Sequence, residues 1–138
     1  MSTSKNYAVS TLGTYATLGE KEADGAKGRV MLGKALGLTA SEISVNSAPA
    51  GTFMPFVHSH KQNEEVYIIV SGNGVFHVDG EEFPIQEGSV IRVDPNGKRA
   101  IKAGNETLVY ICMQGKSDSL MQASMDDGII NEEKASWM

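Results

Sequence analysis

Short runs of β-branched and aromatic residues recur along the middle of the chain, and each run is closed by a turn signal. In residues 42–48 apolar and polar positions alternate, which is typical of a strand with one buried face. Similar runs separated by Gly-, Asn- and Asp-rich turns predict five more strands, at residues 66–70, 75–78, 83–85, 89–93 and 108–113. Helical periodicity is almost absent, so the pattern predicts an all-β sandwich or barrel.

The flanking segments are more polar and divide the chain into three parts. Residues 1–28 are predicted to be a partly flexible N-terminal extension, with one strand around residues 7–15. Residues 29–115 are predicted to form the barrel core. Residues 116–138 are expected to be a C-terminal tail packed on the barrel, pinned there by Trp137. A length of 138 residues fits one domain.

Charge and cysteine content narrow the classes of partner and location. The net charge is −5 and the basic residues do not cluster, which argues against nucleic acid or an anionic membrane as partner. The longest apolar stretches have only the length of a strand, so no membrane span is predicted. A single cysteine cannot form an internal disulfide, and the N-terminus lacks the apolar run of a signal peptide, so we expect a cytoplasmic protein.

Two of the three histidines lie two residues apart, at His58 and His60. Strand residues at this spacing point the same way, and Glu65 opens the next strand, where its carboxylate could approach the same point. Two imidazoles and one carboxylate suit a divalent metal such as Fe, Mn, Ni or Zn. The alternative is that all three are polar loop residues. The apolar run at residues 53–57 and the buried-looking strand after Glu65 favour the metal site.

The segment HSHKQNEEVYIIVSGNG resembles the first motif of the cupin superfamily, in which His-x-His is followed by a glutamate and then by a glycine after six more residues. Six residues separate Glu65 from Gly72, so Glu65 rather than Glu64 matches the motif. Residues 88–100 resemble the second motif, with Pro95 and Gly97 at its turn and a strand spacer one residue longer. Ala100 stands where the family has its last metal ligand.

The resemblance implies a double-stranded β-helix, the cupin jelly-roll barrel, with a metal site inside and a homodimer as the common assembly. It says little about the reaction, because one fold hosts many chemistries. With Ala100 in place of the fourth ligand, two outcomes stay open. Either His58, His60 and Glu65 hold the metal alone, or the metal is lost and the histidines bind a ligand directly.

Other side chains are weaker candidates for the site. His77 and Cys112 are candidate substitute ligands, against the alternatives of a cross-strand histidine and a small core residue. Tyr67 lies two residues after Glu65 and so shares its face, which makes its hydroxyl a candidate catalytic group; packing of the ring in the core is the alternative. Arg92 and Arg99 flank the second motif and are expected at the surface, although either could bind a carboxylate.

Two functions follow from these residues. The first is a metal-dependent enzyme of the oxygenase or isomerase type that acts on a small polar molecule. The alternative is a non-catalytic module that binds or senses a small molecule through a degenerate metal site.

Overall fold

The computed structural model describes residues 6–23, 26–121 and 127–138, and most of the regular structure in them is extended. A 3-10 helix (Tyr15–Glu20) and a five-residue helix α1 (Leu32–Leu36) are the helical segments of this part of the chain. The strands are β1 (Glu22–Ala23), β2 (Ala26–Lys27), β3 (Arg29–Met31), β4 (Glu42–Ala48), β5 (Asn63–Ser71), β6 (Asn73–Val78), β7 (Glu81–Gln86), β8 (Val90–Val93), β9 (Arg99–Ala103) and β10 (Leu108–Lys116). The all-β expectation is therefore confirmed.

Two antiparallel sheets form the body of the molecule. One has five strands in the order β3-β4-β10-β5-β8, and the other has three in the order β7-β6-β9. In the described residues these sheets are not joined into one continuous hydrogen-bonded barrel. The segment before β5 runs beside β9, to which it is bonded by isolated bridges from Phe53 to Lys102 and from His58 to Arg99.

The main core lies between the two sheets because alternate residues of each strand face inward. Tyr67 and Ile69 of β5 are buried there, and the Tyr67 ring packs edge-to-face on Phe76 of β6 with 5.0 Å between ring centroids. The rest of this buried cluster consists of Ile85, Val93, Ala103 and Leu108. Beyond this core, the inward-facing side chains of the larger sheet line the region that contains His58, His60 and Glu65.

The outer face of the five-stranded sheet carries a second, smaller core. Val45 and Val109 are buried there beneath Leu18 of the 3-10 helix, whose side chain is completely enclosed. The expected strand around residues 7–15 is wrong: the described residues of this range are irregular up to the start of the 3-10 helix. Leu12 and Leu18 both pack against this smaller core, but the residues between them do not alternate between apolar and polar as in a strand.

The C-terminal segment is largely polar, and its large apolar side chains are exposed where they are described. Trp137 is 83% exposed, so the expectation that it pins the tail is wrong. Residues 1–5 of the predicted extension and residues 122–126 of the predicted tail lie outside the described residues. Within the described residues, no helix has the length and apolar character needed to cross a bilayer.

Candidate metal centre

His58 and His60 are held side by side by backbone hydrogen bonds to the second motif. The His58 N–H donates to the carbonyl of Arg99 (3.0 Å), and the Arg99 N–H donates back to His58 (2.9 Å). The His60 N–H donates to the carbonyl of Pro95 (2.8 Å). The segment is therefore extended, and the two rings approach with 5.3 Å between centroids.

Glu65 meets these rings from the start of β5, where it is only 4% exposed. Its Oε2 lies 3.2 Å from His60 Nε2, and its Oε1 lies 4.0 Å from His58 Nε2. One ligand atom from each of the three residues lies within 4.8 Å of the others. Glu64 faces the opposite side of β5 by alternation and lies outside this group. The structure thus brings together the three residues that the sequence indicated.

Tyr67 and Cys112 also reach the Glu65 carboxylate. The Tyr67 hydroxyl donates to Oε1 (2.8 Å), and the Cys112 thiol donates to Oε2 (3.3 Å). Burial raises the pKa of Cys112 to about 12. Burial, with the nearby Glu65 carboxylate, also raises the pKa of Tyr67 well above its usual value. Both groups are therefore protonated donors in the metal-free protein, and Cys112 lies outside the group formed by His58, His60 and Glu65.

Arg99 is the site residue that the sequence reasoning misplaced. Its side chain is completely buried, with Nη1 3.5 Å from Glu65 Oε1 and Nη2 donating to the carbonyl of Asp94 (2.8 Å). The surface expectation holds for Arg92, which is exposed and ion-paired with Asp94, and is wrong for Arg99. Alternation along β9 turns Arg99 inward beside His58, its bridge partner.

Ala100, placed by motif spacing at the fourth-ligand position, contributes to the cavity wall and pairs with His77 across β6 and β9. The second-motif side chain that reaches Glu65 is that of Arg99. No signal in the sequence marked this inward position, which depends on the register of β9 against β6. His77 is not brought to the site; its Nδ1 lies 3.1 Å from Glu82 Oε2.

The donor set fits a metal ion in most respects. Two ligand atoms bound to one ion at about 2.1 Å each span at most about 4.2 Å, so small side-chain shifts would bring the three donors onto one ion. His60 Nε2 is buried and has no hydrogen-bond partner among the described residues, although Glu65 is close to it. Such an atom needs a cation or a proton. The Arg99 guanidinium, 3.5 Å from the Glu65 carboxylate, disfavours a cation here.

A cavity of about 270 Å³ opens beside these residues. Sequence reasoning missed its polar wall, formed by Arg29, Ser44 and Asn46, because their shared face is visible only from the pairing of β3 with β4. The Asn46 amide donates to the Ser44 hydroxyl (3.0 Å), and both side chains are buried. The remaining lining residues are Met54, Phe56, His58, Glu65, Tyr67, Ala100, Ile101, Tyr110 and Cys112.

Burial also sets the protonation state of His58. Desolvation lowers its pKa below the ordinary value, and this outweighs the opposing effect of Glu65. A neutral imidazole offers a lone pair to a metal or to a ligand proton. His58 therefore presents a Lewis base to the cavity at neutral pH.

Comparisons with known proteins agree with the geometry. A cupin protein from Bacteroides fragilis with a solved structure is 41% identical and superposes with a TM-score of 0.77 over 92% of this chain and 98% of that one. A predicted oxalate decarboxylase from Thermotoga maritima is 29% identical, with a TM-score of 0.51 over 54% of this chain and 64% of that one. An oxalate-binding protein from Thermotoga maritima is 34% identical over 58 residues, which cover 41% of this chain and 48% of that protein.

The chain spans about half the length of the curated relatives it matches. The likeness to the Bacteroides protein extends over almost the whole of both chains, which confirms the cupin jelly-roll fold. Residues 45–114, half of the sequence, match the family model for the Cupin domain. The chain therefore belongs to the cupin family.

Proposed function

We propose that His58, His60 and Glu65 hold one divalent ion of iron, manganese, nickel or zinc, and that the protein is a metal-dependent enzyme for a small polar molecule. The observation that carries this proposal is the approach of three donor atoms, within 4.8 Å of one another, beside a cavity that His58 and Glu65 line. Three protein ligands leave positions free for a small molecule. When bound, the ion would act as a Lewis acid or activate oxygen, as isomerase or oxygenase chemistry requires.

The surrounding side chains have a positioning role in this proposal. Tyr67 and Cys112 each donate to one oxygen of Glu65, which fixes the orientation of the carboxylate. Tyr67 also lines the cavity, so its oxygen can accept a hydrogen bond from a bound molecule while its O–H continues to donate to Glu65. Tyr67 is thus the candidate that touches substrate, and Cys112 is a positioning residue.

Arg99 favours a second candidate function, a module that binds a small molecule without converting it. A buried positive charge 3.5 Å from Glu65 reduces the attraction of that carboxylate for a metal cation. The histidines would then bind the ligand directly. The oxalate-binding relative is compatible with such a role. Turnover that depends on the metal would favour the enzyme, whereas thermal stabilisation by a ligand without turnover would favour the module.

Metal titration by calorimetry, with elemental analysis of the purified protein, tests the site. We expect the parent protein to bind one Mn²⁺ or Zn²⁺ per chain and His60→Ala to lose stoichiometric binding, because one of three ligands is gone. Circular dichroism of His60→Ala should match the parent, since the ring lies outside the main core.

Two matched controls define the result. His77→Ala removes a histidine that pairs with Glu82, and Glu64→Ala removes the acid next to Glu65. Both variants should bind metal like the parent. Stoichiometric binding by His60→Ala, or its loss in Glu64→Ala, would contradict the proposed ligands.

We further propose a cytoplasmic homodimer that binds neither nucleic acid nor membrane. The acidic net charge of −5 argues against binding to nucleic acid or to an anionic membrane, and the single cysteine fits a cytoplasmic location. The family resemblance supports the dimer, and β8 offers an edge of the larger sheet with Val90 exposed. Sedimentation velocity measures the assembly, and a monomer at micromolar concentration would contradict the dimer.

A further inference from the structure

Arg29 places a second positive charge at the cavity, separate from the candidate metal centre. It lines the same cavity as His58 and Glu65, where it is exposed to solvent, and its guanidinium forms no hydrogen bond or ion pair with any described residue. We propose that Arg29 recognises an acidic group of the ligand, and that the ligand is a small dianion, such as a dicarboxylate, whose other acidic group lies at the His58–His60–Glu65 centre. This inference rests on the proposed function of that centre.

Strand register explains why Arg29 faces the ligand. Arg29 is paired with Asn46 on β4, and Asn46 with Tyr110 on β10, so the three side chains form one row on the inner face of the sheet. The next row along the strands contains Ser44, Cys112 and Tyr67. Glu65 lies two residues before Tyr67 on this same face. Arg29 and Glu65 are therefore at opposite ends of one concave surface.

The charges at the centre favour an anion with two negative charges. Arg99 balances the charge of Glu65, and Tyr67 and Cys112 are neutral hydrogen-bond donors. A divalent ion on this set would keep both of its positive charges, because the imidazole ligands are neutral. Arg29 adds another. A dianion would neutralise most of this charge, whereas a neutral ligand would leave it uncompensated.

The wall between the two charged ends suits a short carbon chain. Met54, Phe56 and Ile101 contribute apolar surface to the cavity. Arg29 presents a planar guanidinium, which can bind a carboxylate through two parallel hydrogen bonds. A cavity of about 270 Å³ is at the small end for ligand sites, so the spacer must be short.

The experiment compares malonate, succinate and glutarate with acetate and with malonamide, which is neutral. Binding to the Mn²⁺-loaded protein is measured by calorimetry. We expect at least one dicarboxylate to bind tenfold or more tightly than acetate, and malonamide not to bind. Arg29→Met should lose at least tenfold in dicarboxylate affinity, because a charge-assisted hydrogen bond is lost, and should bind acetate like the parent. Arg29→Lys should have an intermediate dicarboxylate affinity, since lysine retains the charge but cannot form the two parallel hydrogen bonds of a guanidinium.

Arg92→Met is the matched control, because Arg92 is an exposed arginine paired with Asp94 outside the cavity. It should bind every probe like the parent. Equal affinity of the parent for dicarboxylates and acetate, or unchanged dicarboxylate affinity in Arg29→Met, would overturn the inference. Absence of bound metal in the parent, combined with Arg29-dependent dicarboxylate binding, would overturn the metal proposal while supporting the role of Arg29.

Discussion

Arg99 and Glu65 form an ion pair inside the molecule, where the Arg99 side chain is completely buried and Glu65 is only 4% exposed. Removing one partner of such a pair leaves the other charge buried without compensation, which commonly costs about 3–5 kcal/mol. The same arginine also competes with a metal for the carboxylate. One substitution therefore affects stability and metal affinity in opposite directions.

We expect Arg99→Gln to lower the free energy of unfolding of the metal-free protein by about 3 kcal/mol and to raise its affinity for Mn²⁺. Urea denaturation measures the first effect and calorimetry the second. Arg92→Gln should change stability by less than about 1 kcal/mol, because its ion pair with Asp94 is exposed to solvent. Equal stability of both variants would contradict the structural role given to Arg99.

The individual site residues differ in how far the sequence could predict them. His58 and His60 were predictable because a two-residue spacing on extended backbone fixes direction. Glu65 was predictable from its six-residue spacing to Gly72, which matches the resembled cupin motif, although β5 begins earlier than predicted, at Asn63. Arg99 was not predictable, because arginine is rarely buried and its inward position depends on the register of β9 against β6. Arg29 depends in the same way on the pairing of β3 with β4.

Among the elements, the turn between β5 and β6 is tightly constrained at Gly72. Gly72 adopts a φ of +87°, and a Cβ added there would collide with the backbone carbonyl of Thr107. Gly88, before β8, has a nearly identical φ of +89° but open space around its Cα. An L-residue would therefore have the same backbone strain at both positions, and only at Gly72 would its Cβ also collide with a neighbour.

Gly88→Ala should cost about 1–2 kcal/mol, which is the strain of the left-handed conformation. Gly72→Ala should cost at least about 2 kcal/mol more, because strand β6 or the segment before β10 must also move. Chemical denaturation of both variants gives the comparison. Similar losses at the two positions would show that the turn at Gly72 can relax around an added methyl group.

Most strands were predictable because their apolar periodicity is flanked by turn residues, as for β4, whose predicted limits match the observed ones. Strand β9 was missed because the segment Arg99–Ala103 carries a buried charge at an inward position and has no apolar alternation. The short strands β1 and β2 contain only two residues each, too few to give a periodic signal.

At the scale of the whole molecule, the N-terminal segment seals the outer face of the larger sheet. Leu18 is completely enclosed between the 3-10 helix and the sheet, where it contacts the cluster of Val45 and Val109. The sequence alone did not predict this, because the contact joins residues far apart in the chain and the segment lacks a periodic pattern.

We expect Leu18→Ala to lower the free energy of unfolding by about 2–5 kcal/mol, through lost burial and the cavity left behind. Leu38→Ala, which truncates a partly exposed leucine after α1, should cost less than about 1 kcal/mol. Urea denaturation with an unchanged m-value would attribute the loss to packing. If Leu18→Ala were as stable as Leu38→Ala, the N-terminal segment would not be part of the folded unit.

The hydrogen bonds around Glu65 have a consequence for divergence of the sequence. Each Glu65 oxygen accepts one hydrogen bond, from the Tyr67 hydroxyl or from the Cys112 thiol. A glutamine at this position would place its NH₂ group, which is a donor, opposite one of these two donors. Among the described residues, the side chains of the two histidines do not accept such a pair of hydrogen bonds from neighbouring side chains. A descendant that abandoned the metal would therefore lose its histidines first and retain the glutamate. In related chains, a glutamate at this position without the two histidines would indicate that the hydrogen bonds around it are retained, and would not indicate metal binding.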